Sequence, residues 1–172
     1  ICCGTLDEAE AMILAGIRDV LVTREVVSPE QIAKVVALSK FSDIVIIFDN
    51  ASVVRKFSSA AADAGTRVRA MVDVACRLDR SGVPPGNDSA VLAKQIDGSE
   101  GLDFVGLAGY EGSMHGWEPS KREDACREAL ATLLVTRSLI EKEGIEVPIV
   151  SAGATSTYRT AGSIPGITEI QA

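Results

Sequence analysis

Near its end the chain runs Val147-Pro148-Ile149-Val150 into Ser151-Ala152-Gly153-Ala154-Thr155-Ser156-Thr157. An apolar, β-branched run that stops at small, hydroxyl-bearing residues lets backbone N–H groups approach an anion with little side-chain obstruction. A second short run, Ile167-Thr168-Glu169-Ile170, follows a turn containing Pro165 and Gly166. In a barrel of parallel strands, the loops after the last two strands commonly bind phosphate. The spacing thus predicts a phosphate site, set against the plainer reading of a turn that merely ends a strand.

Other residues able to do chemistry stand at the ends of apolar runs: Thr23 and Arg24, Asp49 and Asn50, residues 76–80, Tyr110 with Glu111 and His115, and Gln171. Arg80 sits in RLDRSGVPPG, a loop stiffened by Pro84 and Pro85. It either pairs with a carboxylate such as Asp79 or faces a bound anion or the edge of an aromatic cofactor. Tyr110, followed by Glu111-Gly112, offers a ring face and a hydroxyl to a planar ligand, or simply packs. His115 is the only histidine. One imidazole with no Cys-x-x-Cys spacing gives no zinc site, so His115 reads as a solvated turn residue. The hydroxyl cluster lacks the G-x-S-x-G elbow of a hydrolase.

The elements that must position these residues alternate strand and helix. Ile1-Cys2-Cys3 reads as the tail of a strand, and Thr5 with Glu8 as a capping box for a helix to about Leu14. DVLVT, DIVIIFD, the run from Arg67 to Val74 and FVGLAGY read as successive strands. Helices start at Ser28-Pro29, run from Ala51 to Ala64 and from Asp88 to Ile96, and extend from a Ser120–Glu123 cap to about Lys142. Val147 to Val150 and Ile167 to Ile170 complete seven strands. Continuous Val/Ile runs belong to parallel strands covered by helices. The rhythm predicts an α/β fold, a (β/α)₈ TIM-type barrel lacking its first strand, with a doubly wound sheet as the alternative.

Composition bounds the partners. The chain has 172 residues, enough for one domain with a real core. Its 17 basic residues against 24 acidic ones give a net charge of −7, which argues against nucleic acid or an anionic membrane as a partner. No apolar run approaches the ~20 residues of a membrane span, and no signal peptide opens the chain. The four cysteines, Cys2, Cys3, Cys76 and Cys126, are scattered and read as reduced thiols of a cytoplasmic protein. Because the sequence opens at Ile1 inside a strand, it reads as part of something longer.

Four segments in unbroken order, ICCGTLDEAEAMILAGIRDVLVT, DRSGVPPG, FVGLAGYEG and VSAGATSTY…TEIQA, resemble the D-threonine aldolase and D-serine dehydratase family, pyridoxal-phosphate enzymes of the alanine-racemase-like barrel class. The resemblance implies a pyridoxal 5'-phosphate-binding barrel domain over residues 1–172, acting on a small-molecule D-amino acid. The phosphate would be held around Ser151, Gly153, Ala154 and Thr155, with help from the turn after Gln171. Tyr110 would lie at the pyridine ring and Arg80 near the ring oxygen. The family's Schiff-base lysine lies on a strand ahead of Ile1, and its β domain, which carries the ligands of a divalent metal, follows the barrel. This chain alone is therefore expected to be inactive and to hold no metal, while a homodimer is compatible with the resemblance. A non-catalytic pyridoxal-phosphate-binding barrel, a racemase of the same fold and a barrel for another phosphorylated metabolite are the alternatives. Two departures from the family pattern are Ala75 and Arg77 where an acidic residue and a glycine are usual, and Ala152 and Ala154 where glycines are.

Overall fold

A computed structural model describes residues 1–77 and 80–171. Thirteen elements alternate among them: β1 (Cys2–Cys3), α1 (Leu6–Leu14), β2 (Asp19–Val22), α2 (Pro29–Leu38), β3 (Asp43–Phe48), α3 (Ala51–Asp63), β4 (Val68–Val74), α4 (Asn87–Asp97), β5 (Leu102–Gly109), α5 (Pro119–Lys142), β6 (Ile149–Ala152), α6 (Tyr158–Gly162) and β7 (Glu169–Ile170). The seven strands are hydrogen-bonded in chain order, β1-β2-β3-β4-β5-β6-β7. The pairs β1–β2, β2–β3, β5–β6 and β6–β7 are parallel. A doubly wound sheet reverses its strand order at a switch point. No such reversal occurs here, so the doubly wound alternative is set aside in favour of the order found in a (β/α) barrel.

Two compact units divide the chain: Ile1–Met71 with Leu92–Phe104, and Val72–Val91 with Val105–Ala172. In the first, α1 begins as the sequence predicts. Thr5 accepts from the Glu8 amide at 3.3 Å, while Glu8 reaches back to the Thr5 amide at 2.9 Å. Ser28 and Asn50 cap α2 and α3 one way only, their side chains accepting from the Gln31 and Ser52 amides. Strand β3 is buried from Ile44 to Phe48, and the Phe48 and Phe57 rings meet edge to face at 5.0 Å. Unbroken apolar burial of this kind is what a helix-covered parallel strand requires.

The second unit departs from the sequence reading at four points. Helix α5 is capped by Glu118, not by Ser120 with Glu123: the Glu118 carboxylate accepts from the Ser120 and Lys121 amides, and Pro119 occupies the first turn. Proline fits there because that N–H has no helical partner to lose. Strand β6 starts at Ile149 instead of Val147, since Pro148 has no N–H for the ladder. Strand β7 is confined to Glu169–Ile170, and the Thr168 hydroxyl receives the Val150 amide at 2.8 Å in place of a backbone carbonyl. Helix α6, which begins after the 153–157 loop, lies in a stretch to which the sequence assigned no element.

Gly106 allows β5 and β6 to come together. Its φ is +150°, and a Cβ there would sit 1.9 Å from the Ile149 carbonyl oxygen. Beneath the sheet, Leu130, Leu133 and Ile140 of α5 are fully buried, as are Leu107 and Val150 of β5 and β6. This packing sets the carboxyl ends of β4, β5 and β6, where the candidate site is built.

Candidate functional site

Three loops of the second unit carry the residues singled out in the sequence. The loop after β4 is tied back to its own strand, because Val83 N–H donates to the Asp73 carbonyl at 2.9 Å and Ala75 N–H to the Val83 carbonyl at 2.9 Å. That tie presents Arg80 to the loop after β5, where its guanidinium lies 5.5 Å over the Tyr110 ring. Stacking leaves the guanidinium donors at the rim free of the ring plane. A hollow of about 10 Å³, room for one water, is lined by Asp73, Val74, Ala75, Arg80, Ser81 and Tyr110. The Ser81 hydroxyl donates to the buried Asp73 carboxylate at 3.0 Å. The suggested pairing of Arg80 with Asp79 lies outside the described residues. Arg77, one of the two departures in this loop, rests 4.8 Å over the Trp117 ring.

Glu111 sits behind the third loop with no exposed surface. One carboxylate oxygen accepts from the Gly153 amide at 3.1 Å. The other accepts from the Thr157 hydroxyl at 2.5 Å and from the Cys126 thiol at 3.8 Å. Thr157 in turn accepts from the Ala154 amide at 3.0 Å. Gly153 has φ +98°, which only glycine adopts without strain, and a Cβ there would press on Ile170 at 3.3 Å. The inner amides of the loop are thus spent inside the protein. Among the described residues nothing accepts from the next two, Thr155 and Ser156, and their hydroxyls are equally without partners. Thr155 is exposed.

Ser151 and Gln171 are brought together beneath this turn. The buried Ser151 hydroxyl donates to Glu169 and receives the Gln171 amide at 3.0 Å. Their hydrogen bonds join the ends of β6 and β7. Two thiols lie near the carboxylate, Cys126 buried and Cys76 half-buried. Burial, then the charge of Glu111, pushes the Cys126 thiol up to about 12; burial, then Glu111 and Asp73, pushes Cys76 up to about 12. Both are held protonated and are poor nucleophiles.

Sequence reasoning singled out Arg80, Tyr110, the 151–155 loop and Gln171 as candidates, and it marked Glu111 only as one polar strand-end residue among several. A glutamate directly after a strand-end tyrosine gives no sign in sequence that it turns inward. In the other unit, Thr23 and Asn50 have structural duties. The Thr23 hydroxyl donates to the Cys3 carbonyl at 3.1 Å, and Asn50 caps α3. His115 is exposed. A larger open groove of about 370 Å³ lies before the start of β6, lined by Arg137, Glu141 and Gly144 to Pro148. Parallel-strand enzymes use the carboxyl ends of their strands, and this groove is at the opposite end of β6. No cluster of three metal-binding side chains occurs among the described residues. No helix among them is long and apolar enough to cross a membrane.

Sequentially ordered strands with small-residue and aromatic loops at their carboxyl ends define an α/β domain of the barrel class. The chain belongs to the alanine racemase N-terminal domain family, which residues 1–170 match. It is 30% identical to a D-threonine aldolase from Arthrobacter sp over 173 residues, covering 100% of this chain and 46% of that protein. It is 25% identical over 176 residues to a D-threo-3-hydroxyaspartate dehydratase from Delftia sp. (strain HT23), covering 98% of this chain and 45% of that protein. The crystal structure of D-threonine aldolase from Filomicrobium marinum superposes with a TM-score of 0.96 at 27% identity, over 99% of this chain and 46% of the other. The chain spans less than half the length of these relatives.

The fold family implies pyridoxal 5'-phosphate. A donor set of two adjacent amides and two hydroxyls without protein partners suits a phosphate dianion. A tyrosine ring capped by an arginine suits the edge of an aromatic heterocycle. The residues present fit the group.

Proposed function

We propose that this chain is the cofactor-binding barrel portion of a pyridoxal 5'-phosphate-dependent lyase acting on β-hydroxy-D-amino acids. The observation that carries the reading is the pair of unpartnered amides at Thr155 and Ser156, at the end of a strand in a chain of this family. When bound, pyridoxal phosphate draws electrons away from the substrate's α-carbon, so that a bond at that carbon or the β-hydroxyl can be lost.

The chain's own residues bind and orient. Thr155 and Ser156 would hold the phosphate through backbone N–H and hydroxyl groups, with Gly153 and Ala154 giving the turn its inner shape. Ser151 and Gln171 would support that turn from below. Tyr110 would offer its ring face to the heterocycle, while Arg80 would set a fixed positive charge at the heterocycle's edge. Cleavage of the Cα–Cβ bond, as the likeness to D-threonine aldolase suggests, is the first reading. Loss of the β-hydroxyl is the second, favoured by the dehydratase among the relatives. The lysine that would anchor the cofactor and the divalent metal site would come from segments beyond this chain. A small D-amino acid as substrate, homodimeric assembly and a cytoplasmic setting complete the proposal.

Calorimetric titration with pyridoxine 5'-phosphate tests it, since this analogue has no aldehyde to react with surface lysines. The full chain should bind it at least tenfold tighter than pyridoxine. Thr155→Glu, which puts a carboxylate on the exposed turn, should erase that preference. A chain that does not distinguish the two ligands would sink the reading.

A further inference from the structure

Among the described residues, Glu111 is the one charged side chain of the second unit with no exposed surface, and it has no cationic partner there. Leaving a carboxylate in such a place is costly unless hydrogen bonds meet its charge. Three do: the Gly153 amide, the Thr157 hydroxyl and the Cys126 thiol, at 3.1, 2.5 and 3.8 Å. Two of these donors bracket residues 154–156. Glu111 lies on the loop after β5, whereas the bracketed turn follows β6, so the contact joins two strand ends 42 residues apart in sequence.

The consequence is a division of labour among consecutive amides. Gly153 donates inward to Glu111 and Ala154 inward to Thr157, which Glu111 itself holds. With both inner donors engaged, the turn places the Thr155 and Ser156 amides side by side without protein acceptors. An apolar residue at position 111 would leave Gly153 and Thr157 with unmet hydrogen-bonding groups in the interior. The turn could then satisfy them only by changing shape. A buried acid beside an anion site would be a poor choice for attraction, since its own charge repels the ligand. Its value must therefore lie in geometry.

We propose that Glu111 is a positioning residue, setting the inner amides of the 153–157 turn so that the outer pair at Thr155 and Ser156 can hold a phosphate group. The proposal rests on the anion-site reading given above. It differs from a purely stabilising staple in one respect: loss of Glu111 should weaken phosphate binding specifically, in chains that remain folded.

The test follows the backbone amide signals of the full chain by ¹⁵N NMR during titration with inorganic phosphate. In the unaltered chain the Thr155 and Ser156 signals should move. In Glu111→Ala the phosphate midpoint should rise at least tenfold, and binding of pyridoxine, which has no phosphate, should stay within twofold. Glu111→Gln keeps the side chain's shape and one acceptor, so its midpoint should rise roughly three- to tenfold. If Glu111→Ala does not fold, the glutamine variant decides alone. An unchanged midpoint in whichever variant folds overturns the role of Glu111 and leaves the anion site standing. Signals that fail to move in the unaltered chain overturn both. Equal losses for phosphate and pyridoxine would reduce Glu111 to a general staple.

Discussion

Cys126 has no exposed surface, and its sulfur donates to a carboxylate that has none either. Burial and the charge of Glu111 hold this thiol protonated up to about pH 12, far above the range in which a thiol of the unfolded chain titrates. Between those two values the unfolded chain has lost a proton that the folded chain keeps, so stability falls as pH rises. Below the unfolded value both states are protonated and the effect vanishes. The loss is at most about 1.4 kcal/mol per pH unit for one thiol. Denaturant melts from pH 8 to 10.5 should therefore show a steeper alkaline decline in the unaltered chain than in Cys126→Ala. Parallel declines would mean that the thiol ionises freely in the fold. Cys76, raised by the same two influences, should contribute in the same direction.

At the level of elements, two positions separate what is locally replaceable from what is not. Thr5 completes a capping box at an exposed helix start, so Thr5→Ala should cost about 1 kcal/mol, the usual worth of a side-chain cap. Gly106 is another matter, because an added methyl group would meet the backbone of β6 instead of a yielding side chain. Backbone strain and overpacking together put Gly106→Ala on the order of 3 kcal/mol or more. Chemical denaturation of both variants should give that ordering. A Gly106→Ala chain as stable as Thr5→Ala would show that β5 and β6 can separate without loss. Since Tyr110 and the 153–157 turn follow these two strands, a separated pair would also misplace the site.

For the molecule as a whole, the six lysines decide what the chain does by itself. Lys34, Lys56, Lys94, Lys121 and Lys142 lie on helices, and Lys40 follows one; none lies on a strand. Lys34 is taken up by Asp7 and Glu10 at 3.1 and 2.8 Å, which raises its pKa through those hydrogen bonds and keeps it charged. A reactive lysine needs burial or a neighbouring cation to lower its pKa. The chain alone should accordingly leave D-threonine and D-serine unchanged. Borohydride reduction of its mixture with pyridoxal phosphate, followed by peptide mapping, should give scattered, substoichiometric labelling. One lysine labelled to completion, together with turnover, would mean that the chain carries its own anchoring nucleophile.

The primary structure by itself determined the alternation of elements, since cap residues such as Thr5 and Ser28 and unbroken Val/Ile runs act over a few neighbouring residues. It also marked the small-residue loop after β6, and the family resemblance assigned Arg80 and Tyr110 their place. Local signals misjudged the cap of α5, where the longer reach of Glu118 replaces Ser120, and they passed over α6 in a stretch rich in small residues. What only the tertiary structure decided was which amides of the turn are free. Gly153 and Ala154 look as available in sequence as Thr155 and Ser156. The difference arises from Glu111, which follows another strand, accepts from Gly153 across 42 residues and holds the Thr157 hydroxyl that accepts from Ala154 three residues away. Hydrogen-bond competition of that kind depends on where separate strand ends meet, and no periodicity or motif along the chain encodes it.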